Sequence, residues 1–288
     1  MIISTQTEKL AKEYGLEVAV EMLADAGFDG IDISMFDITS PIFGDEYREY
    51  AQRLVVLAEK KGIKYVQAHA PFGGGYERYS NVLVPLLPRA IEFCSLVGIP
   101  NIVIHPLQPG RYYGNESDIF DTNLEFYRNL APIAKSFGVK IAIENMWQRH
   151  SVTGQIVDDT LADPNELARM YDTLDDPETF TVCLDIGHVA LCRREPEDAV
   201  RIIGAKRLGC LHIHDVDYLL DLHTLPGVAK INWMNVLTAL AEVGYSGAFN
   251  LEADNFYRGF LPEQYPIVAK FMADISRSFA EKIETLVK

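Results

Sequence analysis

Short apolar runs alternate with amphipathic stretches along the chain, and the alternation repeats eight times. The apolar runs predict strands at Ile2–Ser4, Gly30–Ser34, Tyr65–Ala68, Ile102–Ile104, Lys140–Glu144, Thr181–Asp185, Cys210–His214 and Ala248–Glu252. Near-continuous apolar runs of this length suit parallel strands, which are buried on both faces. Between them, apolar residues recur at helical spacing over Val18–Ala26, Tyr47–Lys60, Leu83–Leu96, Asn123–Ser136, Pro164–Leu174 and Trp233–Glu242, and a closing helix starts near Pro262. The sixth connection, Pro196–Gly204, is short and less regular than most of these. Gly27, Gly62, Gly98, Gly138 and Gly244 each end a helical pattern and lead into a strand, as expected where the residue after a helix needs positive φ. Eight βα units predict an α/β fold closed into a single (β/α)8 barrel of the TIM type, with residues 1–288 as one domain. An open doubly wound sheet is the competing arrangement, but no GxGxxG follows the first strand.

A chain of 288 residues can bury one large core, and 48% hydrophobic with 23% charged residues is ordinary for a globular protein. No apolar stretch approaches the roughly 20 residues of a membrane span, and Met1-Ile2-Ile3-Ser4 lacks the basic region of a signal peptide. A cytoplasmic protein without a membrane partner is expected. The four cysteines (Cys94, Cys183, Cys192, Cys210) show no CxxC spacing and read as reduced core residues. A net charge of −15 counts against nucleic acid as a partner.

In such a barrel the strand C-termini converge on one rim, where reactive groups collect. Ionisable side chains stand at six of the eight expected ends. The third strand runs into His69-Ala70-Pro71 and the fourth into His105-Pro106; the fifth ends in Glu144-Asn145 and the sixth in Asp185-Ile186-Gly187-His188. The seventh carries His212-Ile213-His214-Asp215, followed by Asp221-Leu222-His223, and the eighth ends in Glu252. Six of the seven histidines fall at these places; only His150 lies elsewhere, and it reads as a surface residue. Taken singly, each group has an ordinary explanation. A rim histidine is usually hydrogen-bonded packing, a strand-end Glu often caps a helix, and Asp185 with His188 could form an Asx-type turn. His212 and His214 share one strand face, so one of them could be packing. Together they point further, because carboxylates crowded on one rim need a compensating cation or substrate. Imidazoles with carboxylates are the ligand set of Zn²⁺, Mn²⁺ and related ions. A divalent-metal site at this rim is expected.

At these residues, and along essentially the whole chain, the sequence resembles the xylose isomerase-like barrel superfamily. That group includes sugar isomerases and epimerases, and apurinic-site endonucleases of the endonuclease IV type. The most specific stretches are His69-Ala-Pro, His105-Pro, Ile143-Glu144-Asn145, Asp185-Ile-Gly-His188, His212-Ile-His-Asp215, Asp221-Leu-His223 and Leu251-Glu252. The isomerase and epimerase branch implies one divalent metal (Mn²⁺, Zn²⁺, Co²⁺ or Mg²⁺) held by Glu144, Asp185, His212 and Glu252, with His188 facing the substrate. The endonuclease branch implies a three-zinc cluster with further ligands at His69, His105, His188, Asp221 and His223. All nine positions carry the matching residue type. The ketose 3-epimerases carry an arginine shortly after the seventh-strand motif, whereas here Asp215 is followed by Val216-Asp217-Tyr218. The family's Pro-Gly-x-Gly loop reads Pro226-Gly227-Val228-Ala229, which implies a differently shaped backbone.

The activity this resemblance implies is a divalent-metal-dependent isomerase or epimerase of a sugar, or of a sugar-like polyol or keto acid. The metal would polarise a carbonyl and its neighbouring hydroxyl, and Glu144 and Glu252 would move the proton as an acid/base pair. Phe72 and Trp147 would pack on the carbon face of the substrate. The expected partner is a small carbohydrate-like molecule, with homo-oligomerisation left open. The competing readings are a metal-dependent lyase or dehydratase of a keto-polyol, and an endonuclease IV-type enzyme with a multi-zinc site. The last needs positive charge along a DNA groove, yet the loops Met35–Ser40 and Phe72–Arg78 supply only Arg78. A binding protein that merely kept the site would not need both Glu144 and Glu252.

Overall fold

Each apolar run forms a strand, and the barrel strands pair only in parallel. The computed structural model describes Met1–Leu286. Its strands are β1 (Ile3–Gln6), β2 (Gly30–Ser34), β3 (Lys64–His69), β4 (Asn101–Ile104), β5 (Lys140–Glu144), β6 (Trp147–Arg149), β7 (Ile156–Asp158), β8 (Phe180–Asp185), β9 (Leu208–His212) and β10 (Phe249–Leu251). Eight of them run in the order β10-β1-β2-β3-β4-β5-β8-β9, while β6 and β7 make a separate antiparallel hairpin. The gap between β9 and β10 is closed by a parallel bridge, in which Ile213 N donates to Asn250 O (3.0 Å) and Glu252 N donates to Ile213 O (2.9 Å). The result is the predicted (β/α)8 barrel, in which closure removes the sheet edges.

Alternation along the strands divides the core. Outward residues such as Ile102, Ile104, Ile141, Ile143, Val182, Leu184 and Leu211 pack in the large cluster shared with the surrounding helices. Val103, Ala142, Cys183 and Cys210 form a separate small cluster inside the barrel. Small side chains suit that narrow interior. All four cysteines are buried and unbridged.

The differences from expectation have local causes. A seven-residue helix, Glu8–Tyr14, buries only Leu10 and so carries too little periodicity to be read. The β6–β7 hairpin has three-residue strands, too short for an alternation signal. The sixth connection is two helices, Ile186–Leu191 and Pro196–Arg207, the second broken at Gly204 (φ 67°). The helical run over residues 75–97 is 23 residues long and apolar enough by length and composition to cross a membrane, contrary to expectation. Its later part packs Leu87, Ala90, Ile91 and Cys94 into the core.

The seventh strand ends at His212, two residues early, because the chain there turns into a loop governed by Asp215. The Asp215 carboxylate accepts hydrogen bonds from Gly227 N (2.9 Å), Ala229 N (2.9 Å), Ile231 N (3.0 Å) and Trp233 Nε1 (3.0 Å). Its backbone also bridges Thr224. Asp215 therefore shapes the loop that carries Asp221 and His223, and Ala229 serves with its amide where the family pattern has glycine. Tyr218 (φ 67°) and His223 (φ 42°) hold left-handed backbone in this loop, a conformation that persists only where the surroundings enforce it. Asp215→Ala removes four charge-assisted bonds at once. The expected cost is about 2–4 kcal/mol, read as a lower midpoint in urea unfolding.

Candidate metal centre

The barrel brings the reactive strand ends to one rim. His69, Glu144, Asp185 and His212 are the last residues of β3, β5, β8 and β9. His105 and Glu252 follow directly on β4 and β10. His188 lies in the helix Ile186–Leu191, where Asp185 is the N-cap and accepts from His188 N at 2.6 Å. The turn anticipated between Asp185 and His188 thus exists.

All nine sequence-predicted metal positions converge, in three adjoining groups. Ligand atoms of Glu144, Asp185, His212 and Glu252 lie within 4.8 Å of one another, as do those of His69, His105 and Glu144. The third group is His188, Asp221 and His223, joined by His214. Glu144 belongs to the first two groups, and Asp185 links to the third through His188 Nε2 (3.6 Å) and His214 Nε2 (3.1 Å). His212 Nδ1 sits between Glu144 Oε1 (2.6 Å) and Glu252 Oε2 (3.4 Å).

The contacts fit co-ligands of a cation. Glu144 Oε2 is buried and makes no hydrogen bond, although His105 Nε2 is 2.9 Å away. Asp221 Oδ1 is likewise unbonded, with His223 Nε2 at 3.1 Å. Buried oxygens left without a well-aligned donor remain open to a cation. Zn²⁺ and Mn²⁺ take this mixture of imidazole and carboxylate.

The electrostatics agree. Two like unit charges 4 Å apart repel by about 4 kcal/mol even at an effective dielectric of 20, so three buried carboxylates require compensation. With protein groups alone, protons provide it. Burial, reinforced by Asp185 and Glu144, holds the Glu252 carboxyl well above the usual carboxylate range. Burial opposes charge on His223, but Asp221 and Glu252 outweigh it and raise the ring to about 10. Burial pushes His105 down to about 4, so its imidazole is neutral, the form that ligates metals.

The predicted substrate residues flank this cluster. The Phe72 ring packs on His69 and His105 with centroids 5.0 and 4.6 Å away, and Trp147 meets His188 edge-on at 6.3 Å. Both line a cavity of about 690 Å³ that opens beside His105. Gln108 ties its walls together, with its amide donating to Trp147 O and to Asp159. His150 is exposed, as expected, and caps the β6–β7 turn by accepting from Thr153 N (3.2 Å).

Two features escaped the sequence reading. The sequence leaves open which of His212 and His214 is packing; His214 Nε2 lies 3.1 and 3.2 Å from the two Asp185 oxygens and its ring stacks on His223 at 4.0 Å. Gly187 makes room for that ring, since a Cβ there would stand 2.0 Å from His214 Cε1. The His-x-His spacing held this signal, but not which ring would do what. Arg111 and Arg149 also line the cavity, so the rim is less poor in positive charge than the loops after the second and third strands suggest.

Comparison with known proteins places these residues in a family context. A family model described as "Xylose isomerase-like TIM barrel" matches residues 20–275. An uncharacterized protein of Methanocaldococcus jannaschii is 27% identical over 237 residues, covering 80% of this chain and 77% of that one. Among solved structures, a D-tagatose 3-epimerase-like protein superposes with a TM-score of 0.76 at 23% identity and full coverage of both chains. The IolI protein with a bound zinc atom gives 0.72 at 20% identity, covering 98% of each.

Titration of metal-stripped protein with Zn²⁺ or Mn²⁺ is expected to raise its melting temperature. Stabilisation should reach about 2.7 kcal/mol at a free metal concentration of 100 Kd. A chelator should reverse it, and calorimetric scans that do not move with either ion would refute the centre.

Proposed function

Because the chain belongs to the xylose isomerase-like TIM barrel family, we propose that it is a divalent-metal-dependent isomerase or epimerase acting on a sugar or sugar-like hydroxy-ketone. The observation that carries this reading is the convergence of ligand atoms of Glu144, Asp185, His212 and Glu252 within 4.8 Å of one another, with both glutamates at His212 Nδ1. A divalent ion held there would act as a Lewis acid toward a carbonyl and its neighbouring hydroxyl, easing loss of the intervening C–H proton.

The chain's own groups do the rest. Glu144 and Glu252 reach the shared centre from β5 and from the end of β10, so a substrate carbon lying between them meets a carboxyl on each side. One takes the proton and the other returns it, which gives an isomer or an epimer according to the atom and face that receive it. His188 Nδ1 contacts Asn145 O at 2.8 Å, which fixes the ring and leaves Nε2 to hold a substrate oxygen. Phe72 and Trp147 offer apolar faces to the carbon skeleton in the cavity. Tyr76 and Tyr113 line the same cavity.

A second reading keeps support from one observation. The flanking groups His69–His105–Glu144 and His188–Asp221–His223 exceed what one metal needs, and several zinc ions would suit phosphodiester hydrolysis. Incision of an abasic-site duplex by the zinc-loaded protein tests it.

For the isomerase reading, the metal-loaded protein in D₂O is expected to wash deuterium into a carbon-bound position of its substrate, followed by proton NMR across ketoses, inososes and hydroxy-keto acids. Glu252→Gln should slow that exchange by about 10²–10⁴-fold. The reading is sunk by an absence of exchange across the panel, or by a Gln variant as fast as the parent.

A further inference from the structure

Beneath the centre lies a buried carboxylate that the proposed chemistry does not use. Asp32 stands in the middle of β2 and is fully buried. Its Oδ2 accepts from Gln67 Nε2 (2.7 Å) and Asn250 Nδ2 (2.9 Å), and Asn250 Oδ1 in turn accepts from Ser4 Oγ (2.8 Å). Side chains from β1, β2, β3 and β10 thus hold the Asp32 carboxylate in one orientation. No lysine or arginine pairs with it among the described residues; its only ion-pair contact is His212 Nε2, 3.7 Å from Oδ2. Asp32 Oδ1 and His212 Nε2 are both buried without a hydrogen bond. A buried carboxylate held by two neutral amides is poorly compensated, and a buried ring nitrogen without a partner is equally costly. The Asp32 carboxylate can accept from Nε2, which stands 3.7 Å from Oδ2, and closing that gap to bonding distance takes a shift of about an ångström.

We propose that Asp32 is a positioning residue for His212: it accepts the Nε2 proton and so commits Nδ1, as a lone pair, to the ligand cluster. A neutral imidazole carries one N–H. Fixing it at Nε2 leaves Nδ1, which faces Glu144 and Glu252, as the ligating atom. The carboxylate also raises the basicity of that lone pair and stops rotation of the ring. His212 would otherwise be free to place its proton on Nδ1, where the two glutamates would accept it and block the ion. This role rests on the metal-centre reading, yet it holds whichever reaction the centre performs.

Zinc alone is the probe. In zinc-loaded native protein, ¹⁵N-correlated NMR of the histidine rings is expected to show His212 protonated at Nε2; a proton at Nδ1 overturns the proposal without any variant. Asp32→Asn keeps the shape and the network partners but removes the charged acceptor. It should raise the zinc Kd by about 10–100-fold in competition with a chromophoric chelator, while the metal-free melting temperature falls little. A purely structural Asp32 gives the reverse pattern: a lower metal-free melting temperature and an unchanged Kd per folded molecule. An unchanged Kd in the variant removes this role and leaves the centre standing. Absence of zinc binding by the native protein removes both.

Discussion

Three carboxylates buried within a few ångströms of each other are the constraint on which this molecule turns. Glu144, Asp185 and Glu252 end three strands of a closed barrel, so none can swing into solvent to escape the others. Closure that removes every sheet edge also fixes where each strand end points. The barrel can bear that repulsion only if positive charge sits among the carboxylates. Protons on Glu252, His212 and His223 supply it when protein groups act alone, and a divalent ion would supply it more compactly.

Much of the surrounding structure holds this arrangement in place. Asp215 spends its carboxylate on the loop that presents Asp221 and His223. Asn145 accepts from Asp185 N at 2.8 Å and donates to Asp185 O at 3.0 Å, locking the ends of β5 and β8 together. Arg194 pairs with both oxygens of Asp158 at 2.7 Å and ties the hairpin to the turn after the helix Ile186–Leu191. These groups follow a common pattern: an acid beside the centre that does not face it is satisfied by amides or a guanidinium. Among the described residues, four of the nine buried side-chain atoms without a hydrogen bond belong to the centre itself: Glu144 Oε2, His212 Nε2, His214 Nδ1 and Asp221 Oδ1. Buried polar atoms are rarely left so without a functional reason.

The barrel interior is built to match. The small apolar cluster of Val103, Ala142, Cys183 and Cys210 fills one part of it, and the polar set Ser4, Asp32, Gln67 and Asn250 fills another. The second set costs desolvation, which hydrogen bonding largely offsets. What it adds is an oriented carboxylate beside the His212 ring, something an apolar core could not provide.

The sequence by itself determined the barrel and the membership of its rim. Strand and helix periods of 2 and 3.6 residues are written in the order of side chains. A closed parallel barrel then sends every strand end to one face, so His69, His105, Glu144, Asp185, His212 and Glu252 had to meet there. The tertiary structure alone decided three things: that Asp215 turns away to build a loop, that His214 backs Asp185, and that Arg111 and Arg149 enter the cavity beside Trp147. It also decided which nitrogen of His212 faces the glutamates and which faces Asp32. Those outcomes depend on strand register, on the left-handed turns around Tyr218 and His223, and on ring rotations worth an ångström or two. None of these leaves a periodic trace, because contacts between residues far apart in the chain are set by three-dimensional packing and not by spacing along it.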